Sequence, residues 1–371
     1  MKIGVPKEIK NHEYRVGMVP AAVAEAVRAG HQVSVQTQAG AGIGISDDDY
    51  IAAGASILPD AAAVFDQAEM IVKVKEPQAV ERAMLREDHI LFTYLHLAPD
   101  PEQTADLVKS GATCIAYETV TDNAGRLPLL APMSEVAGRL SIQAGAHCLE
   151  KAQGGSGVLL GGVPGVEPGK VMVIGAGAVG FNATQMAVGM GARVVVLDRN
   201  MDVLRQMDAI FGSRIQTVYS NDHSIARHIQ DADLVIGGVL IPGAAAPKLV
   251  RREHLQTMRA GSVVVDVAID QGGCFETSHA TTHAEPTFVE EGVVHYCVAN
   301  MPGAVARTST FALNNVTLPF TLQLANKGYR QALLDNPHLL AGLNVHRGAV
   351  TYKEVAQDLG YDFVEAAQAI A

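Results

Sequence analysis

The chain has 371 residues, 48% of them hydrophobic and 18% charged, which is enough for about two to three compact domains and excludes a disordered or fibrous protein. The 28 basic and 39 acidic residues give a formal net charge of −11, which argues against a protein that binds nucleic acid by neutralising phosphates. The four cysteines form no C-x-x-C pair and the charged start MKIGVPKEIK lacks the apolar core of a signal peptide, so we expect a cytoplasmic protein.

Short β-rich runs alternate with helical patterns from residue 1 to about 119, which is typical of βαβ units around a parallel sheet. The predicted strands are KIGV, QVSVQ, SIL, MIVKV, ILFTYL and TCIAY. Two predicted helices, AAVAEAVRAG and PEQTADLVKSG, end at Gly30 and Gly111, and glycine suits a helix C-terminus. This part of the chain predicts an open α/β domain.

One helical segment lies between this alternation and a second one, and another follows the second alternation. Ser134 is predicted to cap a helix over about 134–153, and another apolar pattern over about 308–327 contains Pro319, which predicts a bend. We expect these helices to link two domains, 1–130 plus 306–371 for substrate binding and 131–305 for the dinucleotide, so that the second domain is inserted into the first.

The second alternation runs from about residue 170 to 300, with predicted strands VMVIG, RVVVLD, IQTVY, DLVIGG, SVVVDVA and VVHYCVA. Nearly continuous Val and Ile runs are typical of strands buried on both faces. The sequence therefore predicts an α/β protein with two doubly wound parallel sheets. The uncharged stretch 171–192 is long enough to span a bilayer, but its glycines and its strand-like and helix-like halves favour a buried βα unit, so no membrane segment is expected.

A glycine-rich motif, VMVIGAGAVGFNATQMAVGMGARVVVLD, lies at the start of this second alternation. Gly175 permits a tight turn after a strand, Gly177 lets the backbone approach a pyrophosphate, and Gly180 lets helix and strand pack closely. Asp198 ends the next strand, where a carboxylate can accept ribose hydroxyl hydrogens and repels a 2′-phosphate. The motif predicts NAD as cofactor, although Arg199 could pair with a 2′-phosphate and leaves NADP as an alternative.

Ligands of open α/β sheets bind outside the carboxyl ends of the strands, so the residues that follow the other strands are candidates. In the second domain these are Ser220, Gly238, Val239, Asp270 and Asn300. Each can equally be an ordinary loop residue. Asp270 stands out because its carboxylate suits a group that handles water or ammonia beside a nicotinamide.

Three chemically capable side chains follow strands of the first domain: Arg15, Lys75 and His96. An arginine fork can bind a carboxylate, a lysine can stabilise developing negative charge, and a histidine can exchange protons near neutral pH. Each alone also has an ordinary explanation as a surface ion pair or a loop residue. Together they suit a 2-oxo or 2-amino acid whose Cα hydrogen is transferred as a hydride.

Two long segments, GVPKEIKNHEYRVGMVP and VIGAGAVGFNATQMAVGMGARVVVLD, resemble the signatures of alanine dehydrogenases and of the soluble nucleotide-binding part of nicotinamide nucleotide transhydrogenases. The similarity to alanine dehydrogenase continues through MIVKVKEP, TYLHLAPD, LLAPMSEVAGR and NMPGAVARTST, over essentially the whole chain. The resemblance implies an NAD-dependent interconversion of L-alanine with pyruvate and ammonium. It also implies a homohexamer of two-domain subunits with the active site in the interdomain cleft.

The same resemblance implies roles for individual residues. Arg15 and Lys75 would bind the substrate, His96 would be the acid–base residue, and Asp270 would be the second catalytic group. The residues expected around NAD are Ser134, Gly175, Gly177, Ala178, Val179, Gly180, Asp198, Ser220, Gly238, Val239, Val267, Ala268, Ile269, Val298, Asn300 and Met301.

One position departs from the family. Some alanine dehydrogenases bind magnesium through a Glu and a His four residues apart on the second linking helix, where this sequence has Gln323 and Lys327. A neutral amide and an ammonium are poor partners for Mg²⁺, so we predict no structural metal there.

Two other functions stay open. A dehydrogenase of a bulkier 2-amino acid or an amino-acid conjugate could use the same arginine, lysine and histidine. An NAD-binding subunit of a membrane transhydrogenase would bind NAD but would leave Lys75 and His96 without a role.

Overall fold

The structure is a computed structural model that describes residues 1–239 and 246–371, and in those residues the chain divides into two compact units. Unit 1 comprises Met1–Met133 and Val305–Ala371, and unit 2 comprises Ser134–Ala304. Each unit is built around one sheet of mostly parallel strands with helices between successive strands. The predicted α/β fold class is therefore confirmed.

The strands and helices of the described residues are numbered in chain order. The strands are β1 Lys2–Val5, β2 Gln32–Gln36, β3 Ser56–Leu58, β4 Met70–Val72, β5 Ile90–Thr93, β6 Thr113–Ala116, β7 Lys170–Ile174, β8 Arg193–Asp198, β9 Ile215–Tyr219, β10 Leu234–Gly237, β11 Val263–Asp266, β12 Thr287–Glu290, β13 Val293–Tyr296, β14 Leu343–His346 and β15 Ala349–Val350. The helices are α1 Pro20–Arg28, α2 Asp47–Ala52, α3 Ala61–Gln67, α4 Ala79–Arg82, α5 Pro101–Ser110, α6 Ala131–Cys148, α7 Ala178–Gly189, α8 Met201–Phe211, α9 Asp222–Ile229, α10 Arg252–Leu255, α11 Ala306–Lys327, α12 Tyr329–Asp335, α13 Pro337–Leu340, α14 Lys353–Leu359 and α15 Ala366–Ala369.

Both sheets reverse their strand order at an internal point. The sheet of unit 1 runs β15-β14-β6-β5-β4-β1-β2-β3, and β1 pairs in parallel with both β2 and β4. The sheet of unit 2 runs β12-β13-β11-β10-β7-β8-β9, and β7 pairs in parallel with both β8 and β10. Ligands of open α/β sheets bind at the carboxyl ends of the strands that flank such a reversal. The expected ligand sites are therefore the loops after β1 and β4 in unit 1 and the loops after β7 and β10 in unit 2.

The central strands are buried on both faces. Successive residues of one strand point to opposite faces, and the core of unit 1 divides accordingly. Met70 and Phe92 belong to the apolar cluster on one face, whereas Ile71 and Leu91 belong to the cluster on the other. This explains why the parallel strands of unit 1 are almost continuously apolar in sequence.

Several predicted elements differ from the observed ones. The antiparallel strands β12, β14 and β15 were not expected, because β12 and β14 mix apolar with polar residues and β15 has only two residues. The expectation that Ser134 caps a helix is wrong: α6 begins at Ala131 and contains Ser134 in its first turns. Pro132 suits the second position of the helix, because a backbone N–H in the first turn has no intrahelical acceptor and its absence costs no hydrogen bond. Helix α11 includes Pro319, and the bend expected there stays a prediction.

Candidate active site

The glycine-rich turn of unit 2 joins β7 to α7. Gly175 has φ +90°, and a Cβ added there would lie 2.8 Å from the side chain of Val239 and 3.0 Å from the backbone of Gly238. A Cβ on Gly180 would lie 1.7 Å from the carbonyl oxygen of Gly175, which is an impossible contact. A Cβ on Gly177 would meet no atom within 4 Å. The turn therefore needs glycine at two positions for its own packing, while the backbone at the third is open to a ligand.

The first turn of α7 faces this open backbone. The helix begins at Ala178, and its N-cap residue Gly177 provides no side chain to accept from the first N–H groups. Such N–H groups, together with the helix dipole, form a binding site for an anion such as a pyrophosphate. Ala178 is exposed and Val179 is buried, so the helix presents backbone rather than bulky side chains at its start.

Asp198 lies at the end of β8, beside the glycine turn. One carboxylate oxygen accepts a hydrogen bond from the backbone N–H of Ala176 at 2.7 Å, and the other accepts from the N–H of Asn200 at 2.7 Å. The N–H of the buried Ser220 donates to the Asp198 carbonyl at 2.9 Å. A carboxylate has about four acceptor positions, so Asp198 keeps capacity for ribose hydroxyls. These residues fit a dinucleotide.

The other predicted residues of unit 2 also lie at the carboxyl ends of strands. Gly238 follows β10, and its N–H donates to the carbonyl of Ile174 at 2.9 Å, next to the glycine turn. Val267, Ala268 and Ile269 follow β11, and the N–H of Val267 donates to the Gly237 carbonyl at 3.0 Å. Val298, Asn300 and Met301 follow β13.

Asp270 is exposed and lies in a short turn after β11. The buried carboxylate of Asp266 holds the two ends of this turn together. The side chain of Asp266 accepts hydrogen bonds from the backbone N–H groups of Cys274 at 3.1 Å and Phe275 at 3.3 Å. Burial raises the pKa of Asp266, although these N–H donors oppose the rise. The loop that carries Asp270 is thus anchored at both ends.

Ser134 lies on a helix instead of a strand end. It precedes Gly138 by four residues, so the two share one face of α6. A Cβ on Gly138 would lie 2.3 Å from the carbonyl oxygen of Val179, which shows that this face packs tightly on the first turn of α7. Ser134 therefore belongs to the helix that supports the glycine turn.

Arg15 lies in unit 1 in the loop that follows β1, and only 2% of the residue is exposed. Its Nε and Nη2 donate to the two carboxylate oxygens of Glu13 at 2.7 and 2.6 Å, and its Nη1 donates to the Met133 sulfur at 3.2 Å. Burial alone would lower the pKa of Arg15, but the pairing with Glu13 outweighs it and raises that pKa. The guanidinium is a buried, oriented cation.

Lys75 lies just beyond β4, where a buried ion network holds the backbone. The Glu8 carboxylate accepts from the N–H groups of Val74 at 2.7 Å and Lys75 at 3.2 Å. The fully buried Lys73 ammonium lies 3.0 Å from Glu8 and 2.7 Å from Glu81. Burial would lower the pKa of Lys73, but the two carboxylates outweigh it and raise that pKa. The network ties the loop after β1 to the end of β4.

His96 lies three residues beyond β5 and has φ +49°. Its ring stacks on the ring of Tyr94, with centroids 5.8 Å apart and planes 7° apart. The Tyr94 hydroxyl donates to the carbonyl of Leu129 at 2.5 Å, and burial raises the pKa of Tyr94. A buried tyrosine with a fixed hydroxyl thus supports one face of a half-exposed imidazole.

Adjacent strands position the three predicted residues of unit 1, because β1 pairs with β4 and β4 pairs with β5. Their supporting residues were not predicted. Glu13 stands only two positions before Arg15, and the alternation of lysine and valine in VKVK marks Lys73 as a second candidate. Glu118 follows β6, and its carboxylate contacts the turn at His96. A search for charged residues after every strand of the sheet would have found it.

Gln323 and Lys327 have partners within unit 1. The Gln323 amide donates to the carbonyl of Ala332 at 3.3 Å and accepts from Asn336 at 3.2 Å, while the Lys327 ammonium pairs with Asp335 at 2.5 Å. Across residues 1–239 and 246–371, no three or more His, Cys, Asp and Glu side chains are grouped so that they could hold a metal ion. Nor does any helix in these two ranges combine the length and apolar character that crossing a membrane requires.

Known proteins are similar to this chain over its full length. The family model described as alanine dehydrogenase/PNT, N-terminal domain, matches residues 4–137, and the corresponding C-terminal domain matches residues 141–353. An alanine dehydrogenase from Halomonas elongata is 60% identical over 370 residues, which cover 100% of both chains. A solved structure named L-alanine dehydrogenase has a TM-score of 0.95 at 52% identity and covers 97% of this chain and 99% of its own. A transhydrogenase from Sinorhizobium meliloti has a TM-score of 0.82 at 26% identity, covering 95% of this chain and 99% of its own.

Proposed function

Because this chain belongs to the alanine dehydrogenase/PNT family through both its N-terminal and its C-terminal domain, we propose that it catalyses the oxidative deamination of L-alanine to pyruvate and ammonium, and the reverse reductive amination. The family that the two sequence signatures indicated is confirmed. Relatives named alanine dehydrogenase at 60% and 52% identity over nearly the whole chain support alanine as the substrate.

The observation that carries this proposal from the geometry is the position of Arg15 and Lys75. They follow β1 and β4, the two strands that flank the reversal in the sheet of unit 1. This is the position at which an open α/β sheet binds a small ligand, and two cations there suit a small carboxylic acid. A subunit that only binds dinucleotide would have no use for a second ligand site of this kind.

The cofactor that we propose is NAD. Its nicotinamide ring accepts or supplies the hydride when the cofactor is bound. The open backbone at Gly177 and the first turn of α7 would hold the pyrophosphate, with Ala178, Val179 and Gly180 forming that turn. The Asp198 carboxylate would accept ribose hydroxyl hydrogens and would repel a 2′-phosphate, which favours NAD over NADP.

Arg15 and Lys75 would bind the substrate carboxylate. Glu13 holds two of the Arg15 nitrogens and so fixes the plane of the guanidinium. The remaining nitrogen of Arg15, Nη1, donates to the sulfur of Met133. Sulfur is a weak acceptor, so an oxygen of the substrate carboxylate would displace it. The Lys75 ammonium would add a compact positive charge beside the carboxylate or the carbonyl oxygen, where it stabilises negative charge that develops during reductive amination.

His96 and Asp270 would transfer the protons. Once the Cα hydrogen has left as a hydride, the substrate is an iminium that water attacks, and His96 accepts the proton of this water. His96 then returns the proton to the nitrogen of the carbinolamine. Asp270 accepts the hydroxyl proton as the C–N bond breaks, which releases pyruvate and ammonia. Reductive amination follows the same steps in reverse.

Steady-state kinetics of the purified chain test this proposal. NADH oxidation is measured with ammonium and a series of 2-oxo acids of increasing size, and with NADPH in place of NADH. We expect the highest kcat/KM with pyruvate and NADH. A preference for a bulkier acid would replace alanine by a larger amino acid, and NADH binding without turnover of any acid would favour a transhydrogenase subunit.

The homohexamer that the family resemblance implies and the cytoplasmic location expected from the cysteines and the charged start of the sequence stay predictions. Light scattering during size-exclusion chromatography measures the mass in solution. A mass about six times that of one chain is the expected result.

A further inference from the structure

The backbone of His96 is held in an unfavourable conformation. Its φ of +49° lies in the left-handed region, where a residue with a Cβ is strained. Such a conformation persists only where neighbouring groups stabilise it. The stabilising contacts at His96 therefore bear on how the side chain is presented.

Glu118 makes most of those contacts. It lies in the 3₁₀ turn Tyr117–Thr119 that follows β6, and β6 pairs with β5, the strand that leads to His96. One oxygen of its carboxylate accepts from the N–H of His96 at 2.6 Å, and both oxygens accept from the N–H of Leu95 at 3.1 and 3.2 Å. Hydrogen bonds to an ionised acceptor are stronger than neutral ones, so they offset the strain of the turn.

The same carboxylate faces the imidazole ring. Its Oε1 lies 3.9 Å from Nδ1 of His96, within ion-pair range but beyond hydrogen-bonding distance. A hydrogen bond between Nδ1 and Oε1 requires these two atoms to approach each other, and a movement of the imidazole along the parallel Tyr94 ring would keep the contact between the two rings. The side chain of His96 is 44% exposed and that of Glu118 is 14% exposed, which leaves the imidazole room for the movement.

We propose that Glu118 is a positioning residue for His96. Its carboxylate holds the turn at residues 95–96 and binds the proton on Nδ1, which leaves Nε2 as the atom that exchanges protons with the substrate. The inference rests on the proposed acid–base role of His96. The chemistry is that of a carboxylate beside a catalytic imidazole, which fixes the orientation and the tautomer of the ring.

The variant Glu118→Gln tests the charge, because the amide keeps one oxygen to accept from the backbone N–H of His96 and nearly the same shape. We expect kcat for reductive amination of pyruvate to fall about 10- to 100-fold, with the KM values for NADH and pyruvate changed by less than about threefold. Glu118→Asp keeps the negative charge and is expected to recover part of the lost kcat. Wild-type kcat in Glu118→Gln would overturn the proposal.

A double-mutant cycle separates action through His96 from general damage. In a His96→Ala background, Glu118→Gln should leave the residual kcat unchanged within about twofold, because the group it positions is already gone. An equal loss of kcat in both backgrounds would show that Glu118 does not act through His96. Absence of pyruvate turnover in the wild-type protein would instead refute the proposed function itself, together with the role of His96 that this inference uses.

Gln103 provides the matched control. Its amide donates to the carbonyl of Leu95 at 2.6 Å, so it supports the same turn from α5. Gln103→Met removes this hydrogen bond without changing a charge. We expect a lower midpoint of thermal unfolding but a kcat within about threefold of wild type. A kcat loss as large as that of Glu118→Gln would attribute both effects to the turn and overturn the role of the carboxylate.

Discussion

Replacing Lys73 by methionine perturbs the buried ion network beside Lys75. The Lys73 ammonium lies 3.0 Å from the Glu8 carboxylate and 2.7 Å from the Glu81 carboxylate, and the lysine is 0% exposed. Methionine is a flexible, unbranched side chain that fills much of the same space, so the substitution chiefly removes the charge and its three donors. Two carboxylates then stay buried without their cation.

Removing one partner from a buried ion pair typically destabilises a protein by about 3–5 kcal/mol, because an uncompensated charge is left in a medium of low dielectric. Glu8 keeps its hydrogen bonds from the N–H groups of Val74 and Lys75, so we expect the lower end, about 3 kcal/mol. Lys327→Met is the control, because the Lys327–Asp335 pair has side chains 45% and 36% exposed. An exposed pair contributes about 1 kcal/mol or less.

The destabilisation by Lys73→Met should grow as the pH rises. Burial raises the pKa of Glu8 above its ordinary value of 4.5, and Lys73 opposes that rise, so the pKa rises further in the variant. The folded variant then holds a proton that the unfolded chain has already lost. The contribution of Glu8 to the stability of the variant is therefore greatest below about pH 4.5 and is lost as the pH increases through the raised pKa. We expect a larger difference from wild type at pH 8 than at pH 5.5.

Urea unfolding followed by circular dichroism measures these differences for the wild type and both lysine variants at one protein concentration. The chain contains no tryptophan, which makes circular dichroism the suitable probe. The reasoning is refuted if Lys73→Met shifts the unfolding midpoint no more than Lys327→Met at both pH values. The KM for pyruvate should also rise in Lys73→Met, because the network holds the backbone at Lys75.

Three further substitutions test the proposed cofactor and substrate sites. Gly180→Ala should raise the Kd for NADH by at least about tenfold, because the added Cβ would lie 1.7 Å from the Gly175 carbonyl oxygen. Gly189→Ala, in the same helix, is the control: its Cβ would meet no atom within 4 Å, so the Kd should stay unchanged. Equal Kd values for the two variants, from NADH fluorescence titration, would contradict this. His96→Ala should lower kcat by at least about a hundredfold with NADH binding retained, and near-normal turnover would remove His96 from the reaction. Arg15→Lys should chiefly raise the KM for pyruvate because the fork is lost, and an unchanged KM would exclude Arg15 as a ligand of the carboxylate.

The amino-acid sequence alone determined the features that depend on local patterns. Short apolar runs separated by helical patterns identified the parallel strands. The predicted starts and ends of β1, β2, β3, β8 and β9 coincide with the observed ones. The glycine motif predicted the turn after β7 from local requirements, because Gly175 has φ +90° and a Cβ on Gly180 would meet the carbonyl oxygen of Gly175, five residues earlier. Arg15, Lys75 and His96 were found for the same reason, since the carboxyl end of a strand can be read from its own sequence. Their catalytic roles stay predictions.

Only the tertiary structure decided how charges distant in sequence combine. Lys73 and Lys75 are two residues apart and similar in sequence context, yet Lys73 is buried because Glu8, 65 residues away, pairs with it. Glu118 reaches the turn at His96 across 22 residues, since β5 and β6 are neighbours in the sheet. The antiparallel strands β14 and β15 likewise depend on a sheet formed more than 200 residues earlier in the chain, because β14 pairs with β6, where Val345 is opposite Cys114, and β15 pairs with β14. Contacts of this kind are set by the strand order, and a local sequence pattern carries no signal for which strands become neighbours.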